Sequence, residues 1–240
     1  MKTYVINLEN AFARKQYMQK QLEELPFLSP EFVIAVDGRK MTKEEQNQKF
    51  NIEKFKKNYS REVRPGEIGC TLSHQKCYQK LMDSGEEYAL ILEDDIVLND
   101  YYQDGILDRV YPLLCTNRPK IVLLSGWYWY LRSCKLFENY RIAKVYDAYL
   151  AHAYIINRSA AKLLIESRPF ICADDWWYIR GKGVKLWALL PHVVDQIESE
   201  QYPTQINIEE VRHFGARITW KKIMRHLCHI VGKYESYNNI

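Results

Sequence analysis

Short apolar runs alternate along the chain with segments of mixed polarity. Six runs have the length and composition of buried strands: residues 4–8, 32–36, 89–92, 121–124, 151–156 and 186–190. Residues 11–25 contain good helix formers and stop at Pro26, while residues 159–167 begin with the capping residue Ser159 and end before Pro169. Strands that alternate with helices predict an α/β fold with a mostly parallel, Rossmann-like sheet flanked by helices.

Two further segments depart from this alternation. Residues 41–64 are rich in Lys, Glu, Gln and Asn, and they are predicted to form a helical insertion or mobile cover. Its apolar anchors are Phe50, Ile52 and Phe55. After residue 201 the pattern weakens, and an amphipathic helix follows. Its apolar stripe is Trp220, Ile223, Met224, Leu227, Ile230, Val231 and Tyr234. Its basic residues, predicted to lie on the remaining surface, are Lys221, Lys222, Arg225, His229 and Lys233.

Length and composition favour one globular domain. The 240 residues suffice for one substantial core, and the net charge of +4 comes without a long Lys/Arg run, which argues against nucleic-acid binding. The six cysteines contain no CxxC pair and are expected to be reduced. The first residues have a strand-like pattern rather than that of a signal peptide, and no apolar run is long enough to cross a membrane. We therefore expect a cytoplasmic protein.

The most informative segment is an apolar strand that ends in three adjacent carboxylates, Glu93, Asp94 and Asp95. In an extended chain Glu93 and Asp95 point to one side and Asp94 to the other, although a turn would reverse this. A divalent cation neutralises such a cluster, and hard oxygen ligands favour Mg²⁺ or Mn²⁺. Glu93 and Asp95 are then predicted to face the metal, with Asp94 anchoring the turn. The alternative is a solvated acidic turn that caps a strand.

Several segments resemble glycosyltransferase family 25 in the order in which they occur. They are Val5-Ile-Asn-Leu8 with Arg14-Lys15 and Met18, Ala35-Val-Asp-Gly38, Gly66-Glu-Ile-Gly-Cys-Thr-Leu-Ser-His74, the Glu-Asp-Asp strand end, Ala153-Tyr-Ile-Ile-Asn-Arg-Ser-Ala-Ala161, and Val194-Asp-Gln196 with Ser199. The resemblance spans residues 3–200. It implies a glycosyltransferase A-type fold, a UDP-sugar donor, commonly UDP-galactose, a divalent metal and inversion at the anomeric carbon. Bacterial members extend surface glycolipid oligosaccharides.

The resemblance also implies a donor site. The predicted donor-binding residues are Asn7, Leu8, Arg14, Asp37, Gly38, Ser73, His74, Glu93 and Asp94. Asp95 is the first choice as metal ligand, with Glu93 as the second. His152 and His192 lie beside predicted strands, where either would complete the coordination or be an ordinary core histidine. Helical spacing aligns Cys70, His74 and Cys77 on one stripe, which we interpret as packing rather than as a zinc site.

Asp174-Asp175-Trp176-Trp177 supplies candidates for a catalytic base and for contacts with the acceptor. The attacking hydroxyl must lose a proton, and we predict Asp175 as the base, with Asp174 as its rival. The aromatic rings of Trp176 and Trp177 are expected to bind the acceptor. Two acids before a helix are equally expected to cap it.

We therefore predict an inverting transferase that moves a sugar, galactose by family habit, from a UDP-sugar to a lipooligosaccharide acceptor. The catalytic domain is assigned to residues 1–205 and a tail to residues 206–240. The tail helix either packs on the domain or lies on the inner face of the cytoplasmic membrane. The alternatives are a metal-dependent nucleotidyltransferase or phosphoester hydrolase, and an inactive carbohydrate- or membrane-binding protein.

Overall fold

The computed structural model describes residues 1–103, 105–197 and 220–235. Its strands are β1 (Lys2–Asn7), β2 (Ser29–Ile34), β3 (Tyr88–Glu93), β4 (Ile96–Leu98), β5 (Lys120–Leu123), β6 (Tyr128–Phe137), β7 (Tyr140–Ala148), β8 (Ala153–Asn157), β9 (Lys185–Leu190), β10 (Val194–Gln196) and β11 (Lys233–Glu235). Its α-helices are α1 (Phe12–Glu23), α2 (Lys43–Lys49), α3 (Ile52–Tyr59), α4 (Pro65–Ser84), α5 (Ile106–Val110), α6 (Arg158–Leu164), α7 (Trp176–Gly181) and α8 (Trp220–Val231).

A large sheet with the order β11-β6-β7-β9-β5-β8-β3-β1-β2 forms the centre of the described residues, and β4 pairs with β10 beside it. The pairings place β2, β1, β3, β5, β9 and β6 in one direction and β8, β7 and β11 in the other. The sheet is therefore mixed: six of its nine strands run in one direction, and three neighbouring pairs are parallel and five antiparallel. The predicted α/β fold with a helix-flanked sheet is confirmed. The carboxyl ends of β1 and β3 lie side by side, because Ile6 is the register partner of Glu93.

The central strands of the sheet are buried on both faces. Side chains that alternate along the strands form one cluster with Cys77 and Leu81 of α4, and a second with Met18 and Leu22 of α1. Coverage of both faces explains why β1, β3, β5 and β8 are nearly continuous apolar runs. All six predicted strands exist, with bounds shifted by up to three residues.

Two local predictions need correction. Helix α6 is capped by Asn157, whose side chain accepts a hydrogen bond from the Ala160 backbone, and not by Ser159. Sequence reasoning also missed the β6·β7 hairpin. Its strands mix aromatic and charged residues instead of forming an apolar run, and register shifts interrupt their alternation. Residues of this kind form strands because of their partners in the sheet, which a local pattern does not report.

The segment between β2 and α4 is helical, as predicted. It forms α2 and α3, and the anchors Phe50 and Phe55 are completely buried against Ile68 of α4. Thr42 caps α2 through a capping box with Glu45. This insertion is thereby fixed to the start of α4.

Two glycines allow the turn after β2 to touch α4. A Cβ atom on Gly38 would lie 1.8 Å from the Pro65 carbonyl oxygen, and one on Gly69 would lie 2.3 Å from the Val36 carbonyl oxygen. The Val36 amide also donates a hydrogen bond to the Ser73 hydroxyl at 2.9 Å. The glycines therefore serve a close approach between two backbone segments.

Replacing Gly69 with alanine is expected to destabilise the protein by about 1–3 kcal/mol, because the added methyl meets backbone atoms that cannot move aside cheaply. Gly181→Ala is the matched control: it also lies in a helix, but nothing is within 4 Å of its added Cβ. That variant should be neutral, or more stable by about 0.5–1 kcal/mol. Chemical denaturation measures both, and equal stabilities for the two variants would contradict the prediction.

The tail helix α8 is present, but its orientation differs from the predicted one. Arg225 donates two hydrogen bonds to the buried Asp147 at 2.6 and 2.9 Å, and His229 contacts the same carboxylate at 2.6 Å. The apolar residues Leu227, Ile230 and Val231 are instead 49%, 66% and 73% exposed. The prediction that Arg225 and His229 lie on the outer surface is therefore wrong. The alternative in which Leu227, Ile230 and Val231 pack on the domain is also wrong.

The predicted domain boundary at residue 205 and the motif residue Ser199 lie outside the described residues. In the part of the chain that is described, no helix has the length and apolar character needed to cross a bilayer.

Candidate active site

The acidic strand end lies at the carboxyl edge of β3, where neighbouring elements hold it in place. The Asn7 amide donates to Asp94 Oδ2 at 2.7 Å, and Arg14 Nη1 donates to Asp94 Oδ1 at 2.8 Å and to Asp95 Oδ2 at 3.2 Å. Burial raises the pKa of Asp94, and the Arg14 and Asn7 contacts counter it only in part. Asn7 and Arg14 therefore support the turn in this structure, whereas their contact with a donor stays a prediction.

Glu93 and Asp95 face a common space with His152. One ligand atom from each lies within 4.8 Å of the others, and the Glu93 backbone amide donates to the His152 carbonyl at 2.8 Å across the β3·β8 pair. Asp95 Oδ1 is buried and has no hydrogen-bond partner among the described residues, whereas Oδ2 accepts from Gln196 at 3.1 Å. An unsatisfied buried carboxylate oxygen beside two more ligand atoms fits a divalent cation.

A hydrogen-bonded chain behind Glu93 keeps it charged. His74 Nε2 is 3.3 Å from Glu93 Oε1, and His74 Nδ1 is 2.7 Å from the Tyr154 hydroxyl. Burial opposes ionisation of Glu93, but the His74 hydrogen bond and the charge of His152 outweigh it and lower the pKa of Glu93. Cys70 also approaches His74 and Glu93, but burial raises the pKa of its thiol well above the usual range. A protonated thiol is a poor metal ligand.

Other predicted donor-site residues have structural roles here. The Ser73 hydroxyl donates to the Gly69 carbonyl at 2.7 Å and accepts from Val36, and its side chain is buried. The prediction that Ser73 binds the donor is therefore corrected, because its hydroxyl is already bonded. His74 is likewise buried, and its two ring nitrogens contact Glu93 and the Tyr154 hydroxyl.

Leu8 follows β1, the neighbour of β3, whereas Asp37 and Gly38 follow β2 on the far side of β1. Asp37 caps the 3₁₀ turn Gly38–Lys40 and pairs with Arg39 at 2.8 Å, while Gly38 is buried against Pro65. Leu8 directly follows β1 and is half-buried. Donor contacts by these residues stay predictions.

Asp174 and Asp175 precede α7 and occupy different surroundings. Asp175 caps the helix: its Oδ1 accepts from the Tyr178 amide at 3.0 Å, and its Oδ2 accepts from the Tyr59 hydroxyl at 2.5 Å. This confirms the capping alternative. Asp174 receives a 3.3 Å hydrogen bond from the Leu150 amide. Burial and the charges of Asp175 and Glu93 together raise its pKa.

Tyr59 and Leu150 were not recognised from the sequence. Tyr59 lies on α3, so the helical insertion reaches the Asp174–Asp175 pair. Leu150 has a left-handed backbone (φ 66°), which is uncommon outside glycine, and this conformation directs its amide at Asp174 and its carbonyl at Trp176. No local pattern signals either contact.

The two tryptophans after these acids differ in exposure. Trp176 is completely buried, and its indole NH donates to the Leu150 carbonyl at 2.8 Å. Its predicted contact with the acceptor is therefore wrong, because its ring packs in the core. Trp177 is half-buried, with the Arg180 guanidinium 5.9 Å from its ring centroid. Only Trp177 retains a surface for the predicted acceptor contact.

His192 lies apart from the Glu93–Asp95–His152 group and secures the C-terminal strand. Its ring nitrogens contact Asp195 at 2.9 Å and Glu235 of β11 at 3.0 Å. Burial disfavours the charged imidazole, but these two carboxylates together outweigh it and raise the pKa of His192. His192 is thus a structural histidine.

The stability of the protein is expected to decrease as pH rises through the raised folded-state pKa of His192. A raised pKa means that the folded state binds the proton more tightly, so this stabilisation is complete below the ordinary value of 6.5 and is lost above the folded value. Thermal unfolding across neutral pH measures it, with His192→Gln as the comparison. If the variant keeps the same pH slope, another group is responsible.

A comparison with known families decides the class of the protein. Residues 1–176 match the family described as "Glycosyltransferase family 25 (LPS biosynthesis protein)". The chain belongs to glycosyltransferase family 25. The family predicted from the ordered motifs is thereby confirmed.

The family relatives found among characterised sequences include animal proteins. A "Glycosyltransferase 25 family member" of Aedes aegypti is 31% identical over 180 residues, which cover 69% of this chain and 28% of the relative. "Procollagen galactosyltransferase 2" of Homo sapiens is 34% identical over 229 residues, or 89% of this chain and 33% of the relative. A Bos taurus relative at 23% identity, covering 89% of this chain and 35% of the relative, is named "Probable inactive glycosyltransferase 25 family member 3". The chain thus spans about a third of the length of these relatives.

Proposed function

We propose that this family 25 protein transfers a hexose, with galactose as the favoured sugar, from a UDP-sugar to a hydroxyl of a lipooligosaccharide, with inversion at the anomeric carbon. The observation that carries the proposal is Asp95 at the carboxyl edge of the sheet: its buried Oδ1 has no hydrogen-bond partner among the described residues, and one of its carboxylate oxygens lies within 4.8 Å of ligand atoms of Glu93 and His152. Open α/β sheets bind ligands at this edge.

Glu93, Asp95 and His152 would hold a divalent cation. Two carboxylates suit Mn²⁺ or Mg²⁺, and the imidazole favours Mn²⁺ of the two, because Mg²⁺ prefers an all-oxygen shell. When bound, the cation supplies positive charge for the leaving diphosphate. Arg14 stabilises the same acidic turn from the other side through Asp94 and Asp95.

We assign the catalytic base to Asp174, ahead of Asp175. Both Asp175 oxygens already accept hydrogen bonds, and Asp174 has a raised pKa, which makes it the stronger base. In the proposed step the acceptor hydroxyl oxygen forms a bond to the anomeric carbon while its proton passes to the Asp174 carboxylate. The bond between that carbon and the UDP oxygen breaks, and UDP leaves with the electron pair.

The acceptor is proposed to contact Trp177 beside the acidic pair. The human relative's name raises procollagen as a competing acceptor, which an assay can distinguish. We further propose that the enzyme acts at the cytoplasmic face of the membrane, with contact through the exposed apolar residues Leu227, Ile230 and Val231 of α8.

A donor and acceptor screen tests the function. UDP-galactose, UDP-glucose and their N-acetyl forms are incubated with Mn²⁺ and either a lipooligosaccharide fragment or a procollagen peptide, and the product linkage is read by NMR. Mn²⁺-dependent transfer of galactose to the glycolipid supports the proposal. Transfer to the peptide would correct the acceptor. Release of pyrophosphate from a nucleoside triphosphate and a sugar phosphate would indicate a nucleotidyltransferase. Binding of glycan without metal-dependent affinity for UDP would indicate an inactive binding protein.

A further inference from the structure

Cationic side chains lie directly opposite each other on neighbouring strands, far along the sheet from the acidic turn. Arg132 of β6 is the register partner of Lys144 of β7, and Lys120 of β5 is the register partner of Lys185 of β9. Arg132, Lys144 and Lys185 are exposed, and Lys120 is half-buried. Like charges in cross-strand positions repel each other and destabilise the sheet. The fold therefore carries an electrostatic cost at this place.

These four cations share one face of the sheet. Trp187 of β9 is the register partner of Lys144, so Arg132, Lys144 and Trp187 form one row across three strands. Lys185 is two residues from Trp187 and thus points to the same side, as does its partner Lys120. The Lys120 ammonium lies 5.3 Å from the Trp187 ring centroid. We call Arg132, Lys144, Lys185 and Lys120 the basic face.

The basic face has no acidic counterpart in the described parts of the chain. None of its four cations belongs to an ion pair there. The Lys120 ammonium donates only to the Leu113 carbonyl and faces the Trp187 ring. Burial and the charge of Arg118 lower its pKa. Within the described ranges, no acidic side chain therefore forms an ion pair with this face.

Helix α8 lies on the same side of the sheet. The β6·β7 register skips Tyr146, and this bulge brings Asp147, which anchors α8, to the same face as Lys144 three residues earlier. Because α8 turns Arg225 and His229 toward Asp147, it leaves Leu227, Ile230 and Val231 exposed. One side of the sheet therefore presents an exposed apolar helix surface together with cations that form no ion pair among the residues that the structure describes.

We propose that the basic face and the apolar residues of α8 form one docking surface for a bilayer of anionic phospholipid. Charge complementarity identifies the partner, because anionic headgroups neutralise the cations while the interfacial region takes up the apolar side chains. A soluble polyanion such as RNA would match the cations but leave Leu227, Ile230 and Val231 in water. The proposed membrane contact of α8 thereby extends to the sheet, and it does not depend on sugar transfer.

The test measures partitioning of the full chain onto vesicles of phosphatidylcholine with and without phosphatidylglycerol. Wild type should bind only the anionic vesicles, and added salt should weaken the binding. Each cation near an anionic surface strengthens binding about 5-fold, so the double variant Lys144→Gln, Lys185→Gln should partition about 25-fold less. The matched control is Lys49→Gln, Lys57→Gln, which removes equal charge from exposed positions on α2 and α3 and should have little effect.

Thermal unfolding of the same variants distinguishes docking from a folding defect. Removing Lys144 and Lys185 relieves the opposed like charges, so the melting temperature should stay unchanged or rise. Leu227→Ser with Ile230→Ser should weaken the salt-resistant part of the binding. Equal partitioning of wild type and the Lys144/Lys185 variant would overturn the proposal. Failure of wild type to bind anionic vesicles would also overturn it. If wild type instead bound RNA, and the Lys144/Lys185 variant bound RNA less, the partner would be a soluble polyanion and not a bilayer.

Discussion

Asp95→Asn is expected to reduce metal-dependent sugar transfer by about 100-fold or more, comparable with the loss of one group that stabilises charge in a transition state. The substitution replaces a charged carboxylate by a neutral amide, whose oxygen attracts a divalent cation less strongly. Asp95 Oδ2 already contacts Arg14 and Gln196, so the free Oδ1 is the atom whose role is tested.

A binding measurement makes this prediction independent of turnover. Mn²⁺ with UDP should raise the melting temperature of wild type, because a ligand that binds only the folded state stabilises it, and this rise should disappear in Asp95→Asn. The melting temperature of the variant without metal is the reference against which its response to Mn²⁺ and UDP is measured. Asp100→Asn, an exposed position on the following loop, is the control. Full activity of Asp95→Asn at saturating donor, acceptor and metal would remove Asp95 from the metal site.

Asp174→Asn is expected to lower kcat by about 10²–10⁴-fold, the usual contribution of a general base. Asp175→Asn should cost much less, because asparagine is an equally good helix cap and its carbonyl still accepts a hydrogen bond. Measuring kcat for both variants distinguishes the roles of the two aspartates. A larger loss for Asp175→Asn would return the role of base to Asp175, as first predicted from the sequence.

The pH dependence of wild type gives a second measure of the same assignment. A raised pKa means that Asp174 stays protonated at pH values at which an ordinary aspartate has lost its proton. Only the carboxylate accepts a proton, so kcat should rise with pH through this elevated value. The residual kcat of Asp174→Asn should not show this rise with pH. If kcat of wild type rose through the ordinary pKa of an aspartate instead, Asp174 would not be the base.

Much of the sheet could be predicted, because strands buried on both faces are near-continuous apolar runs. The β6·β7 hairpin could not, since its aromatic and charged residues become a strand only through pairing with β9 and β11. The tail helix shows the same limit. Its amphipathic pattern is real, but the buried Asp147 attracts the basic residues Arg225 and His229 inward. An ion pair with a residue 78 positions away thus overrides the usual rule that the apolar side is buried.

The acidic strand end and the motifs that indicate the family follow from the sequence, because each depends on residues that are neighbours along the chain. Tertiary structure decided which side chains meet at Glu93 and Asp95. The antiparallel pairing of β3 with β8 brings His152 to Glu93, and the left-handed backbone at Leu150 directs its amide toward Asp174 and its carbonyl toward the buried Trp176. Such contacts join residues that are distant in sequence, and only the folded register of the sheet determines their distances.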